Sequence, residues 1–164
     1  MKVLYATNNI NKVNEISDFF KEKKNDFKFF SLADLNYEIE VVEDKETLEK
    51  NAYKKAYEVW VKEKENFDFI ISEDFGFFTH HLPQILGVKT KRWLPGSDLD
   101  RSTALLNLFK NKKNKKAFYK SVFVLIDKEG NHKYFKATLK GNIAEKQSES
   151  KGFAYDSIFL TKKG

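Results

Sequence analysis

The stretch Val3-Leu4-Tyr5-Ala6-Thr7-Asn8-Asn9-Ile10-Asn11-Lys12, followed by Val13, Ile16 and Phe19-Phe20, decides the reading of the fold. Val3–Ala6 is short, apolar and bounded by polar residues, as a buried strand is. Past Lys12 the apolar residues recur at helical spacing, which predicts a helix from about Asn11 to Lys24. A strand that passes through a polar loop into a helix opens an α/β unit. The same alternation continues outward. Strands are expected at Phe27–Phe30 and Ile39–Val42, then a helix at Thr47–Glu65 with Leu48, Ala52, Ala56, Val59 and Trp60 on one side. Phe67–Ser72 reads as a buried strand that ends in an acidic turn, Glu73-Asp74, with Gly76 letting the chain turn sharply. Ser102–Lys110 is a short helix carrying Ala104, Leu105 and Leu108 inward. Ala117–Ile126 alternates, so that Phe118, Val122, Val124 and Ile126 can face one way. The turn Asp127–Asn131 returns the chain as His132–Lys140, and Ile158–Leu160 is a last short strand. Strands and helices mixed in this way predict an α/β fold with a mixed sheet.

Composition bounds the rest. With 164 residues, 41% of them hydrophobic, and no linker or repeat, one globular domain over 1–164 is expected. No apolar run approaches the ~18–20 residues of a membrane span. The chain runs straight from Met1 into strand-like sequence, so no secretory signal is expected. The absence of cysteine removes disulfides and thiolate zinc sites and fits a reducing cytoplasm. A net charge of +6 suits phosphate-bearing partners. The lysine run Lys110–Lys116 reads as a solvated connection rather than a nucleic-acid patch, since no aromatic interrupts it to stack a base.

Four places can carry chemistry. The loop Thr7-Asn8-Asn9-Ile10-Asn11-Lys12 precedes a helix, whose unpaired N–H groups and partial positive charge favour phosphate; Lys12 adds a point charge. The competing reading is that the asparagines cap the helix. The glycines of a Walker loop are missing. Ser72-Glu73-Asp74-Phe75-Gly76 lies at a strand's carboxyl end, where ligands gather in α/β sheets, and adjacent carboxylates there can hold Mg²⁺ or take a proton from water. An ordinary acidic strand exit competes. Glu43-Asp44 offers a further metal carboxylate, or a helix cap. Gly152-Phe153-Ala154-Tyr155-Asp156 brings two aromatics that could stack on a base and an acid that could accept from a base N–H, or else a loop anchored by its rings. His80-His81 lacks the i,i+4 pairing of a metal site and reads as surface.

Taken in order, these segments resemble the inosine triphosphate pyrophosphatase family, which hydrolyses noncanonical purine nucleoside triphosphates. The most specific match is Ala6-Thr7-Asn8-Asn9-Ile10-Asn11-Lys12 with Val13 and Glu15. Thr47-Leu48-Glu49-Lys50-Asn51-Ala52 with Lys55-Ala56, then Ser72–Gly76, Gly87–Arg92 and Gly152–Phe159, are similar to the family's further blocks. The resemblance implies an elongated mixed sheet with flanking helices, two lobes around a central nucleotide cleft, and a homodimer. It implies that Thr7, Asn8, Asn9, Ile10, Asn11 and Lys12 hold the triphosphate, with Phe75 and Arg92 at the same cleft. Phe153, Ala154, Tyr155 and Asp156 would contact the nucleoside. Asp74 would be the general base, and Glu43 with Asp74 would hold Mg²⁺. The product pair would be a nucleoside monophosphate and pyrophosphate.

The chain also departs from the pattern. Lys50 stands where the family has Glu, Phe75 where a small hydroxyl residue follows the catalytic Asp, and Glu73 where a second Asp is usual. Ile85-Leu86-Gly87 lacks a Pro, and Ala154 and Ser157 replace Gly and Pro. The family's further stretch, with a Lys and a Ser-His-Arg motif that reads the base, has no match within residues 1–164, so base reading is expected to differ. Two alternatives follow: a member that binds nucleotides or a partner without turnover, or a basic nucleic-acid-binding module.

Overall fold

The computed structural model describes residues 1–22, 26–81, 83, 87, 93–149 and 154–161. Its elements are β1 (Lys2–Tyr5), α1 (Ile10–Glu22), β2 (Lys28–Ser31), α2 (Leu48–Glu63), β3 (Phe69–Thr79), α3 (Asp98–Phe109), β4 (Lys116–Asp127), β5 (His132–Ile143) and β6 (Phe159–Thr161). They build one mixed six-stranded sheet in the order β2-β1-β3-β4-β5-β6. β1 is parallel to both β2 and β3, which α1 and α2 make possible as crossovers; β5 and β6 are antiparallel. Met1–Asp74 with Val122–Lys136 pack as one compact unit, and Phe75–Ser121 with Ala137–Gly164 as a second.

In the first unit, β1 is buried from Val3 to Tyr5 because helices flank a parallel sheet. α1 docks through Phe20, whose ring stacks on Phe29 of β2 at 5.2 Å. α2 buries Leu48, Asn51, Ala52, Lys55, Ala56, Val59 and Glu63, one stripe at helical spacing. Thr47 caps it, its hydroxyl accepting from Lys50 N at 3.1 Å. At the far end Trp60 Nε1 donates to Asp127 O at 2.8 Å, which ties the helix to the β4–β5 turn.

The second unit has its own core of Phe77, Leu105, Phe109, Ala117, Ile143, Ala154, Tyr155 and Ile158. α3 starts with a capping box: Ser97 Oγ accepts from Asp100 N, and Asp100 accepts from Ser97 N at 2.8 Å. Gly76 lies inside β3, where a Cβ would come within 2.6 Å of Gly87 O. Gly76→Ala is therefore expected to cost about 1–3 kcal/mol, measurable as a lowered thermal midpoint.

Several expectations are corrected. Ile39–Val42 is not a strand: Ile39 alone turns inward while Val42 is 66% exposed, and the segment joins no sheet edge. Glu73-Asp74 is not a turn; β3 runs through it to Thr79, and Gly76 serves close approach rather than a bend. α3 begins one turn earlier than Ser102, and its inward stripe is Arg101, Ser102, Leu105 and Phe109, with Leu108 exposed. Along β4 the buried side is Val122, Val124 and Ile126 in the first unit, as expected, but Ala117 in the second; Phe118 instead stacks on Phe78. The strand serves two cores, so one alternation cannot describe it. His80 and His81 are exposed, as the sequence suggests. Among the described residues no helix is long and apolar enough to cross a membrane.

Candidate active site

The parallel register of β1 with β3 pairs Tyr5 with Ile71, and Ala6 N donates to Ile71 O at 2.8 Å. The loop after β1 is thereby set beside Ser72, Glu73 and Asp74, the next residues of β3. Within that loop Thr7 Oγ1 accepts from Asn9 N at 3.1 Å. Asn9 Oδ1 accepts from Asn11 N at 3.0 Å and Lys12 N at 3.4 Å, so Asn9 caps α1. Asn8 Nδ2 donates to Ile39 O at 2.9 Å. Two asparagine side chains thus hold the loop's shape, while Ile10 and Asn11 are exposed. Lys12, on the first turn of α1, is buried with its Nζ 3.7 Å from Glu73 Oε1.

α2 supplies the other side of the cluster. Asn51 pins the approach segment, its Oδ1 accepting from Lys45 N at 2.9 Å and its Nδ2 donating to Lys45 O at 3.3 Å. Lys54 Nζ donates to Val42 O and Asp44 Oδ1, both at 2.8 Å. One residue on, Lys55 Nζ donates to Glu73 O at 2.6 Å and Glu43 Oε1 at 3.1 Å, and lies 3.9 Å from Asp74 Oδ1. Lys12, Lys55, Glu43, Glu73 and Asp74, remote in sequence, form one cluster of two cations and three carboxylates.

Burial dominates its electrostatics. It pushes the Asp74 carboxyl from 3.8 up to about 6; Lys55 and Lys12 pull the other way, and Glu43 adds to the rise. Burial likewise raises Glu73 against the pull of Lys12, and lowers Lys12 against the pull of Glu73. Every one of these shifts says that desolvation outweighs pairing, so the ionised cluster is costly in the protein alone. Asp74 Oδ2 is fully buried and has no hydrogen-bond partner among the described residues.

That orphaned oxygen tests whether a metal fits. Among the described residues no group of three or more His, Cys, Asp or Glu could hold an ion unaided. Mg²⁺ needs less, since it keeps several waters and takes one or two carboxylates with substrate phosphate oxygens. Asp74, with an unused acceptor, and Glu43, 44% exposed at its side chain, suit that partial ligand set.

The remaining predicted residues belong to the second unit. Phe75 packs against its core, 6.2 Å from the Tyr119 ring. Tyr155 is 1% exposed, its ring stacked on Phe77 at 4.8 Å and its hydroxyl accepting from Trp93 Nε1 at 2.7 Å, so no ring face is open for a base to stack upon. Ala154 has a left-handed φ of 56°, with its N–H donating to Asp98 Oδ2 at 3.0 Å. Asp156 Oδ1 accepts from the Tyr119 hydroxyl at 3.2 Å. Arg92 and Phe153 lie outside the described residues.

Sequence reasoning passes over Lys55 and undervalues Glu73. The signal for Lys55 is its position: a lysine at the centre of the apolar stripe, between Ala52 and Val59, cannot reach solvent freely and needs buried anions.

Comparison with known proteins gives a consistent picture. A model of the Ham1 family matches residues 3–164. A Thermoanaerobacter protein named dITP/XTP pyrophosphatase is 31% identical over 163 residues, covering 97% of this chain and 79% of its own. One of the same name from Flavobacterium johnsoniae is 33% identical, covering 97% and 80%. The solved structure of the Staphylococcus aureus Ham1 protein superposes with a TM-score of 0.81 at 26% identity, covering 99% of this chain and 82% of its own.

Proposed function

Because this chain belongs to the Ham1 family, we propose that it is a Mg²⁺-dependent nucleoside triphosphate pyrophosphatase that hydrolyses noncanonical purine nucleotides such as ITP, dITP and XTP. The observation that carries the reading is the meeting of Lys12, Lys55, Glu43 and Asp74, with one buried oxygen of Asp74 unused.

A triphosphate repels an attacking water until its charge is masked. Lys12 and Lys55 supply two cations at a helix start and on a rigid helix face, where they neutralise phosphate oxygens. Asp74 and Glu43 would hold Mg²⁺, which would supply further charge masking and help orient or acidify water. Asp74 takes the proton as water attacks the α-phosphorus. The bond from that phosphorus to the oxygen bridging the β-phosphate breaks, and pyrophosphate leaves with the electron pair. A carboxyl raised to about 6 by burial is still mostly ionised at pH 7 and is a stronger base than an exposed one. Asp156 meets the nucleoside as an acceptor. Tyr155 serves by fixing the loop rather than by stacking on the base, since its ring is buried in protein. In this reading residues 1–164 act as one catalytic domain, homodimeric and cytoplasmic.

Lys50 and Phe75 motivate the alternative of binding without turnover. Lys50 is exposed and makes no ion pair among the described residues, while Phe75 packs into the second unit's core. Neither enters the cluster. Chelation of Mg²⁺ with excess EDTA is expected to abolish product from ITP, and added Mg²⁺ to restore it. Released pyrophosphate is coupled to inorganic pyrophosphatase and scored as phosphate with and without that enzyme; because the coupling enzyme needs Mg²⁺ itself, each EDTA reaction is stopped by heat and given excess Mg²⁺ before coupling. Undiminished turnover in EDTA would refute the metal requirement.

A further inference from the structure

The lysine run after α3 is exposed, as a solvated connection is, but it also forms one wall of a cavity. It turns back against the ends of β5 and β6, and together they enclose an open cleft of about 630 Å³. The turn is pinned by its own backbone. Asn111 takes a left-handed φ of 65°, Lys112 N donates to Phe109 O at 3.1 Å, and Asn114 Oδ1 accepts from Lys116 N at 3.2 Å. The facing wall is tied down as well: Ile143 N donates to Lys115 O and Ala144 N to Ile158 O, both at 2.8 Å. Lys112, Lys113, Lys115 and Lys116 line the cleft, and Glu145 is the one acidic residue among its walls. Glu145 is already engaged, accepting from Lys115 Nζ at 2.6 Å. The other three lysines make no ion pair among the described residues.

We propose that this cleft is a second anion site, built for a compact oligophosphate, either inorganic or the phosphate tail of a nucleotide. Ammonium groups crowded into one short turn repel one another, and an anion carrying several charges within a few ångströms offsets that repulsion in a way a single chloride does not. Asn114 and Asn142 add amide donors to the same walls. The volume is that of a small-molecule site rather than a groove that tracks a polymer. Single-stranded nucleic acid fits poorly, since no lining residue is aromatic and no base finds a ring to stack upon. The cleft lies within the second unit and shares no residue with the cluster around Lys12 and Asp74, so the inference does not rest on the proposed catalysis.

The test reads individual lysines. The protein is acetylated briefly with an N-hydroxysuccinimide ester, with and without sodium tripolyphosphate, in EDTA at about 0.1 M salt, and each lysine is scored by peptide mass spectrometry. A bound anion favours the charged amine over the reactive neutral one, so Lys112, Lys113 and Lys116 are expected to label about fivefold more slowly or less. The exposed Lys21, Lys28 and Lys133 serve as the contrast and are expected to keep their rates. ATP in place of tripolyphosphate distinguishes the sources: protection at lower concentration assigns the nucleotide, equal or weaker protection the inorganic chain, and either order supports the site. Calorimetry adds a second measurement. The combined variant Lys112→Gln, Lys113→Gln, Lys116→Gln is expected to bind tripolyphosphate at this site at least tenfold more weakly, and arginine at the same three positions to restore binding. Turnover of ITP is expected to stay unchanged in both. Labelling that is unaltered, or slowed equally at Lys21, Lys28 and Lys133, would overturn the site. So would a short oligothymidylate that protects better than tripolyphosphate, or an unchanged affinity in the glutamine variant.

Discussion

Asp74→Asn is expected to lower pyrophosphate release by about 10²–10⁴-fold while making the protein more heat-stable at neutral pH. The two effects have one cause. Burial in the cluster raises the Asp74 carboxyl from 3.8 to about 6, so the folded state binds this proton more tightly than the unfolded chain does. Stability from the group is intact below the unfolded value. It is lost as pH rises from 3.8 to about 6, and the loss then levels off. A rise of that size corresponds to roughly 3 kcal/mol, at about 1.36 kcal/mol for each pH unit. Asn binds no proton, so metal-free Asp74→Asn should gain on the wild type across that window and keep the gain above it. Loss of the 3.9 Å contact with Lys55 offsets part of this. Circular-dichroism melts at pH 4 and pH 7 check the stability half, and the coupled phosphate assay checks the other. Equal melting shifts at both pH values would contradict the assigned cause. The pairing of lost activity with gained stability is what a functional site held at the fold's expense predicts.

Lys55→Met should fail on both counts. Its ammonium serves Glu73 O, Glu43 and Asp74 together and is 9% exposed. Removing one partner of a buried ionic group typically costs about 3–5 kcal/mol, because the remaining charges stay desolvated. Lys55 is also the largest influence holding the Asp74 carboxyl down, so its loss pushes that group further up and depletes the base at pH 7. Activity is expected to fall about 100-fold or more. The neighbouring Lys54→Met is the contrast. It breaks a pair with Asp44, whose side chain is 53% exposed, and exposed pairs contribute about 0–1 kcal/mol. Thermal melts and turnover of the two variants side by side measure the difference. Similar losses in both would mean that burial does not govern this cluster.

The residues legible in sequence are those whose local pattern and site role agree. The strand, polar loop and helix around Lys12 announce themselves by spacing, and the parallel register with β3 follows from the α/β alternation. β3 is harder. Glu73, Asp74 and Gly76 carry the composition of a turn, yet the strand continues because Lys12 and Lys55, distant in the chain, make buried carboxylates tolerable. Local propensity cannot contain that compensation. Lys55 is legible only through its place on the apolar stripe between Ala52 and Val59, because the other lysines of that helix reach solvent and mask it. Tyr155 looks like a base-stacking ring and is a core residue; only the packing of Phe77 against it reveals this. Tyr119 shows nothing in sequence beyond strand alternation, because the groups its hydroxyl bonds, Tyr155 N and Asp156 Oδ1, lie 36 and 37 positions away.

The most direct test of the cluster's chemistry is turnover of ITP with Mg²⁺ in ¹⁸O-labelled water, with products resolved by mass spectrometry. Water directed by Asp74 at the α-phosphorus places the heavy oxygen in inosine monophosphate and leaves the pyrophosphate unlabelled. Label in pyrophosphate, or orthophosphate and inosine diphosphate as first products, would show attack at a different phosphorus and contradict the assignment.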